Sequence, residues 1–170
     1  MRIAILPLLL LLGVGGCGYK PSSHYAKKVL GSRVYASVSV FIEEPENSTI
    51  VEDALKEALK TRLNVSFTDK SRADSEINLS LKSLKFKPLQ IDKNGYVSIY
   101  RAEIVLRARH TYFSNGVPKT SYYTLEGFYE FPVKPSASLS LVQKFDAIKY
   151  SALKALDGLI PKLALSGNST

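Results

Sequence analysis

The stretch Tyr96–Phe131, YVSIYRAEIVLRARHTYFSNGVPKTSYYTLEGFYEF, decides the fold. In its first half Tyr100, Ala102, Ile104, Leu106, Ala108 and Tyr112 fall on one side. Arg101, Glu103, Val105, Arg107, Arg109 and Thr111 fall on the other. A two-residue period sustained this far predicts a long strand with one buried and one wet face. Asn115-Gly116 then marks a hairpin, because both residue types tolerate the positive φ of a tight turn between twisted strands. The partner strand is Lys119–Phe131, with Tyr123, Leu125, Tyr129 and Phe131 on the apolar side and Thr124, Glu126 and Glu130 opposite. Upstream, Ile77, Leu79 and Leu81 alternate with Asn78, Ser80 and Lys82. The apolar phase slips by one residue at Leu84 and Phe86, as a bulge requires. This strand is expected to end near Pro88, and Asn94-Gly95 is a turn signal in the loop after it.

Working outward, Val34–Ile42 also alternates, with Val34, Ala36, Val38, Val40 and Ile42 against Tyr35, Ser37, Ser39 and Phe41. Thr49 with Glu52 fits a capping box, and Val51, Ala54, Leu55, Ala58 and Leu59 form a helical stripe, so a helix is expected over Ile50–Leu63. Val65–Thr68 reads as a short extended piece. A last helix is expected from near Ser138 or Ser140, with Leu141, Phe145, Ile148, Ala152, Leu156 and Leu159 as its buried stripe and Pro161 closing or kinking it. The order β-α-β-β-β-α predicts an α/β fold, a two-layer sandwich. In it an about four-stranded, mostly antiparallel sheet is covered on one face by two helices. The first strand, followed by a helix, would reach a parallel neighbour by crossover. Residues 33–165 then form a single domain, with 166–170 a frayed tail.

The amino-terminal segment reads differently. Arg2 precedes an apolar run, Ile3–Leu12, broken only by Pro7, and Gly13–Gly16 lead into Cys17, the sole cysteine. The run is too short for a spanning helix, which needs about 20 apolar residues, but it suits a secretory signal. Val14-Gly15-Gly16-Cys17 resembles the bacterial lipobox. That resemblance implies a cut before Cys17, removing residues 1–16, and acylation of Cys17 itself. A plain secreted protein with a chance cysteine is the alternative. Two or more acyl chains hold a protein on a membrane stably. Gly18 stands where an aspartate favours inner-membrane retention in such lipoproteins, so the resemblance implies the outer membrane, facing the periplasm. Residues 17–32, punctuated by Pro21, Ser22, Ser23 and Gly31, read as a tether. A single cysteine allows no internal disulfide even in that oxidising compartment.

The chain carries 23 basic and 15 acidic residues; without Arg2 the balance is 22 against 15, a formal +7. That favours an anionic partner, and in the periplasm anionic lipid is expected rather than nucleic acid. His24 and His110 are the only histidines. They give no HExxH pair and no zinc spacing, and no GxSxG or phosphate-cradling loop occurs. Glu126 and Glu130 share a strand face, where ordinary solvation accounts for them. No active site, metal or cofactor is expected. What remains is surface. Lys82, Lys85 and Lys87 with Arg101, Arg107 and Arg109 would form a basic stripe beside Tyr122 and Phe128, suited to phosphate or carboxylate. A simply solvated face is the alternative. Val97, Ile99, Val105 and Phe113 on the same side favour a protein-contact surface.

The lipobox followed by Cys17-Gly18-Tyr19 and Pro21 resembles the start of the LPS-assembly lipoprotein family LptE. So does the plan after it: a strand at Val38–Ile42, a loop holding Glu46-Asn47-Ser48-Thr49, then a helix, a strand meander and a final helix. Glu43–Asn47, with two acids before Pro45, departs from the pattern. The resemblance implies a two-layer α/β fold and a non-enzymatic subunit that plugs a large outer-membrane β-barrel of the LptD type and assists lipopolysaccharide delivery. It assigns no ligand-binding residue. An auxiliary lipoprotein of an ABC-type lipid or solute transport system is the competing expectation.

Overall fold

The computed structural model describes residues 22–39, 45–134 and 139–167. The signal 1–16, Cys17, the end of the first expected strand at Val40–Ile42 and residues 168–170 lie outside them. The elements in chain order are α1 (Ser22–Leu30), β1 (Arg33–Ser39), α2 (Pro45–Leu63), β2 (Ser66–Phe67), β3 (Ser75–Ile91), β4 (Val97–Ser114), β5 (Val117–Pro132), α3 (Leu141–Asp157) and α4 (Leu159–Gly167). The strands form one sheet in the order β2-β1-β3-β4-β5. β1 runs parallel to both β2 and β3, and β3, β4 and β5 are antiparallel. This is the α/β two-layer sandwich, with five strands where about four were expected, because the short piece after α2 pairs with β1.

The period-two pattern of β4 becomes burial directly. Ala102, Ile104, Leu106 and Ala108 are buried, and they join Ile77, Leu79 and Leu125 under the helices. Helix residues Leu55, Leu59, Ile148, Ala152, Leu156 and Leu163 complete that layer. The phase slip in β3 is a bulge: Leu81 pairs with Leu106 and Ser83 with Val105, so Lys82 is the extra residue. Asn115 and Gly116 both take positive φ, 53° and 78°, as the hairpin requires. β3 continues past Pro88 to Ile91. Beyond Ser80 it has no described neighbour on the β1 side, and a proline is tolerated on such an edge.

Four differences concern the helices. The segment read as a tether holds α1, which packs on α4 with Ala26 and Leu30 fully buried. α2 starts at Pro45, one turn before Thr49, since proline at a first helical position loses no intrahelical hydrogen bond. Glu52 accordingly pairs with Lys56 (2.6 Å) instead of capping. The capping box lies at Ser140, whose Oγ accepts from Gln143 N and whose own N donates to Gln143 Oε1, both at 3.2 Å. The final helix divides at Gly158, before Pro161, and its first apolar residues Leu141 and Phe145 are exposed. Ion pairs Arg62–Asp157 and Lys149–Glu57 link α2 to α3.

One polar clamp closes the chain at the start of β1. Asp74 Oδ2 accepts from the backbone N of Ser32 (3.0 Å) and Arg33 (2.9 Å), and Oδ1 accepts from Arg33 Nη2 (2.7 Å). The Arg33 guanidinium, then its backbone N–H, hold the Asp74 carboxyl down at about 2. Gly31 sits at φ +77°, where a Cβ would come 2.5 Å from that of Asp74. Asp74→Ala strips two backbone donors of their partner at a half-exposed site. The expected cost is about 1–2 kcal/mol, read as a lower urea midpoint at pH 7.

Candidate functional site

The alternation that buries one face of the meander exposes the other. Arg101, Arg107 and Arg109 lie on the uncovered face of β4, with exposed Lys82, Lys85 and Lys87 on β3 beside them. Cross-strand register sets them in rows: Lys87–Arg101–Glu130, Lys85–Glu103–Phe128, Ser80–Arg107–Thr124 and Asn78–Arg109–Tyr122. The six basic residues share one face, but not one environment.

Towards the β3–β4 turn two of the three cations are balanced; Lys85, across from Glu103, forms no ion pair among the described residues. Lys87 contacts Glu103 and Arg101 contacts Glu130, each at 2.5 Å. The Lys87 hydrogen bond lowers the Glu103 carboxyl below its usual range. The Arg101 guanidinium also lies 4.8 Å from the Phe128 ring centre.

Towards the β4–β5 turn the balance breaks. Lys82, Arg107 and Arg109 pair with no carboxylate among the described residues. With Ser39, Asn78, Ser80 and Tyr122 they line an open depression of about 460 Å³. A smaller one, about 170 Å³, continues across Tyr35, Ser37, Asn78, Arg109 and Thr111, beside the Lys70–Glu76 pair. Asn78 is fixed between them: its Nδ2 donates to Ser37 Oγ (3.0 Å) and its Oδ1 accepts from Ser39 Oγ (3.2 Å). Arg107 packs over Tyr122, 5.0 Å from the ring centre, which limits the freedom of its fork. The arrangement offers guanidinium, ammonium and hydroxyl donors to a phosphate or carboxylate.

Exposed aromatics accompany the charge. Tyr122, Phe128 and Phe113 are 58%, 55% and 64% accessible, a combination with arginine that protein interfaces favour. Val105 is half-buried between Tyr122 and Phe128, and Val97 and Ile99 are half-buried beyond Phe128 towards the β3–β4 turn. Missed from the sequence is His110, which falls in the buried register of β4 and is fully enclosed, with neither ring nitrogen hydrogen-bonded. Its position between Ala108 and Tyr112 was the available signal. Among the described residues no three metal-ligating side chains cluster, and no helix is long and apolar enough to cross a membrane.

No family model matches the sequence, and no curated protein matches it. Solved structures do resemble the fold. Rare lipoprotein B of Shewanella oneidensis aligns with TM-score 0.51 at 18% identity, covering 81% of this chain and 97% of that one. An uncharacterized lipoprotein B of Nitrosomonas europaea aligns with TM-score 0.52 at 15% identity, covering 81% and 85%. A hypothetical protein of Chlamydia trachomatis aligns with TM-score 0.52 at 8% identity, covering 82% and 99%. At such identities the shared property is the backbone plan: the chain has a fold also found in bacterial lipoproteins.

Proposed function

We propose that this chain is a non-enzymatic outer-membrane lipoprotein, anchored through Cys17 and facing the periplasm. In this reading it plugs and supports a large β-barrel of the LptD type and assists lipopolysaccharide assembly. The observation that carries the reading is the uncovered sheet face. Its helices all lie behind it, and it presents Tyr122, Phe128 and Arg101 beside the unbalanced Lys82–Arg107–Arg109 group. A plug must turn contact surface towards a barrel wall, and aromatic and arginine side chains supply it. The lipoprotein fold of the structural neighbours and the lipobox agree with an anchored location.

The test is purification of the tagged, lipidated chain from detergent-solubilised outer membranes. A large β-barrel recovered in near-equal amount supports the proposal. Recovery from inner membranes with transporter subunits and no barrel overturns it. Within the same reading, Arg107→Ala with Arg109→Ala is expected to weaken purified lipopolysaccharide binding about a hundredfold, two charge-assisted contacts being lost. Arg101→Ala, whose charge Glu130 already balances, is expected to change it little. Titration at low and high salt checks both.

A further inference from the structure

We infer that the outer edge of β5 is a strand-addition site for an extended segment of a partner protein, one that carries a bulky apolar side chain near a basic one. The phase of the β4–β5 ladder comes from Val133 N, which donates to Ser98 O at 3.0 Å. Counting back along the register, odd residues of β5 bond to β4. The even residues from Thr120 to Glu130 therefore turn their N–H and C=O groups away from the sheet. β5 is the last strand in the order, and no described strand pairs with that side.

The sheet's two long free edges differ. On β3 the free stretch beyond Ser80 is broken by bulges near Lys82 and Leu89 and carries Lys82, Lys85, Lys87 and Pro88. These are devices that discourage edge pairing. β5 pairs with β4 without a single register shift from Val117 to Pro132. Its prolines, Pro118 and Pro132, stand only at its ends, so no bulge or proline interrupts the span between, whose charges are Lys119, Glu126 and Glu130 alone. Added strands take affinity from main-chain hydrogen bonds and specificity from pockets for alternate side chains.

Such a pocket flanks this edge. Between α3 and β5 a groove of about 120 Å³ is lined by Tyr129, Phe131, Pro132, Gln143, Asp146 and Tyr150. The Tyr129 and Tyr150 rings lie 4.9 Å apart along it. Its wall takes one apolar side chain of an incoming strand, with Asp146 at the margin. On the opposite face Glu126 makes no ion pair among the described residues, so a lysine or arginine fits across from it. A closed barrel has no free edge to lend. The added segment is thus distinct from the barrel wall invoked above.

The test places photoreactive benzoylphenylalanine singly at Tyr122, Thr124, Glu126 or Phe128 in the full lipidated chain within the cell envelope. Expected are cross-links to one segment of one partner, the linked residue moving by two for each two-residue step along β5. Thr124→Pro removes an outward N–H that the fold does not use. It is expected to cut the cross-link yield at position 126 about tenfold with an unchanged melting temperature. Scattered cross-links, links to lipid or to a second copy of this chain, no links, or full yield in a folded T124P chain would each overturn the site. Should T124P itself melt, the two-residue stepping decides alone.

Discussion

Gly127→Ala is expected to destabilise the chain by about 3 kcal/mol, and Gly127→Val by more. Gly127 lies on the helix side of β5, directly beneath α3. A Cβ there would overlap the carbonyl oxygen of Ser151 and the backbone nitrogen of Ala155, with Ala155 Cα at 3.0 Å. Flexible side chains can step aside from an added methyl, but helix backbone cannot. The whole of α3 would have to lift. Lifting it would loosen Ala147, Ile148, Ser151, Ala152, Ala155 and Leu156, the buried side of that helix, and strain the Arg62–Asp157 and Lys149–Glu57 links to α2. Urea unfolding checks the magnitude. A midpoint within error of the parent would show that α3 does not ride on the β5 backbone. As a control, Gly95→Ala meets no atom within 4 Å, although its φ of +83° carries a small local strain.

That close approach explains why the final helix was only partly legible. The large residues Leu141 and Phe145 suggested its buried stripe, yet both are exposed. Near β5 the helix must present small side chains, so Ala147, Ser151, Ala152 and Ala155 face the sheet. Hydrophobicity scales rank these low, whereas packing distance demands them. α1 escaped for a related reason. Nine residues with two buried positions, Ala26 and Leu30, carry too little periodicity to show, and their cover comes from α4, far away in sequence. The meander, by contrast, was readable to within about three residues at its strand ends. Strand alternation, the bulge at Lys82 and the turn at Asn115-Gly116 are local signals, and burial on one face enforces them. The basic stripe was legible as a set of residues on one face but not as a charge distribution. Which cations are neutralised depends on cross-strand register, and only pairing reveals that Lys87 and Arg101 meet Glu103 and Glu130 while Lys82, Lys85, Arg107 and Arg109 meet no carboxylate among the described residues.

Between pH 6.5 and 4 the folded state is expected to lose about 3 kcal/mol through His110 alone. The imidazole is fully buried, stacked 5.0 Å from the Tyr112 ring, and neither nitrogen has a hydrogen-bond partner. Burial pushes its pKa down to about 4. The unfolded chain, with the ordinary value near 6.5, therefore takes up a proton first as pH falls. Stability is whole above that value and declines until the folded pKa is reached. The shifted carboxylates act lower: Asp74 and Glu103 have depressed pKa values, and their contribution falls only below about 4.5, while the raised Arg33, Lys56 and Lys149 stay charged throughout this range. The upper part of the decline, from pH 6.5 to 5, thus reports His110. His110→Leu, close in volume and without polar atoms, should erase that slope and raise stability at pH 7 by about 1–2 kcal/mol, since two unsatisfied buried nitrogens disappear. Urea midpoints measured every half pH unit for both chains decide the matter. Parallel curves would mean that the imidazole finds a partner or solvent after all, and the buried register of β4 would then be looser at Tyr112 than its packing implies.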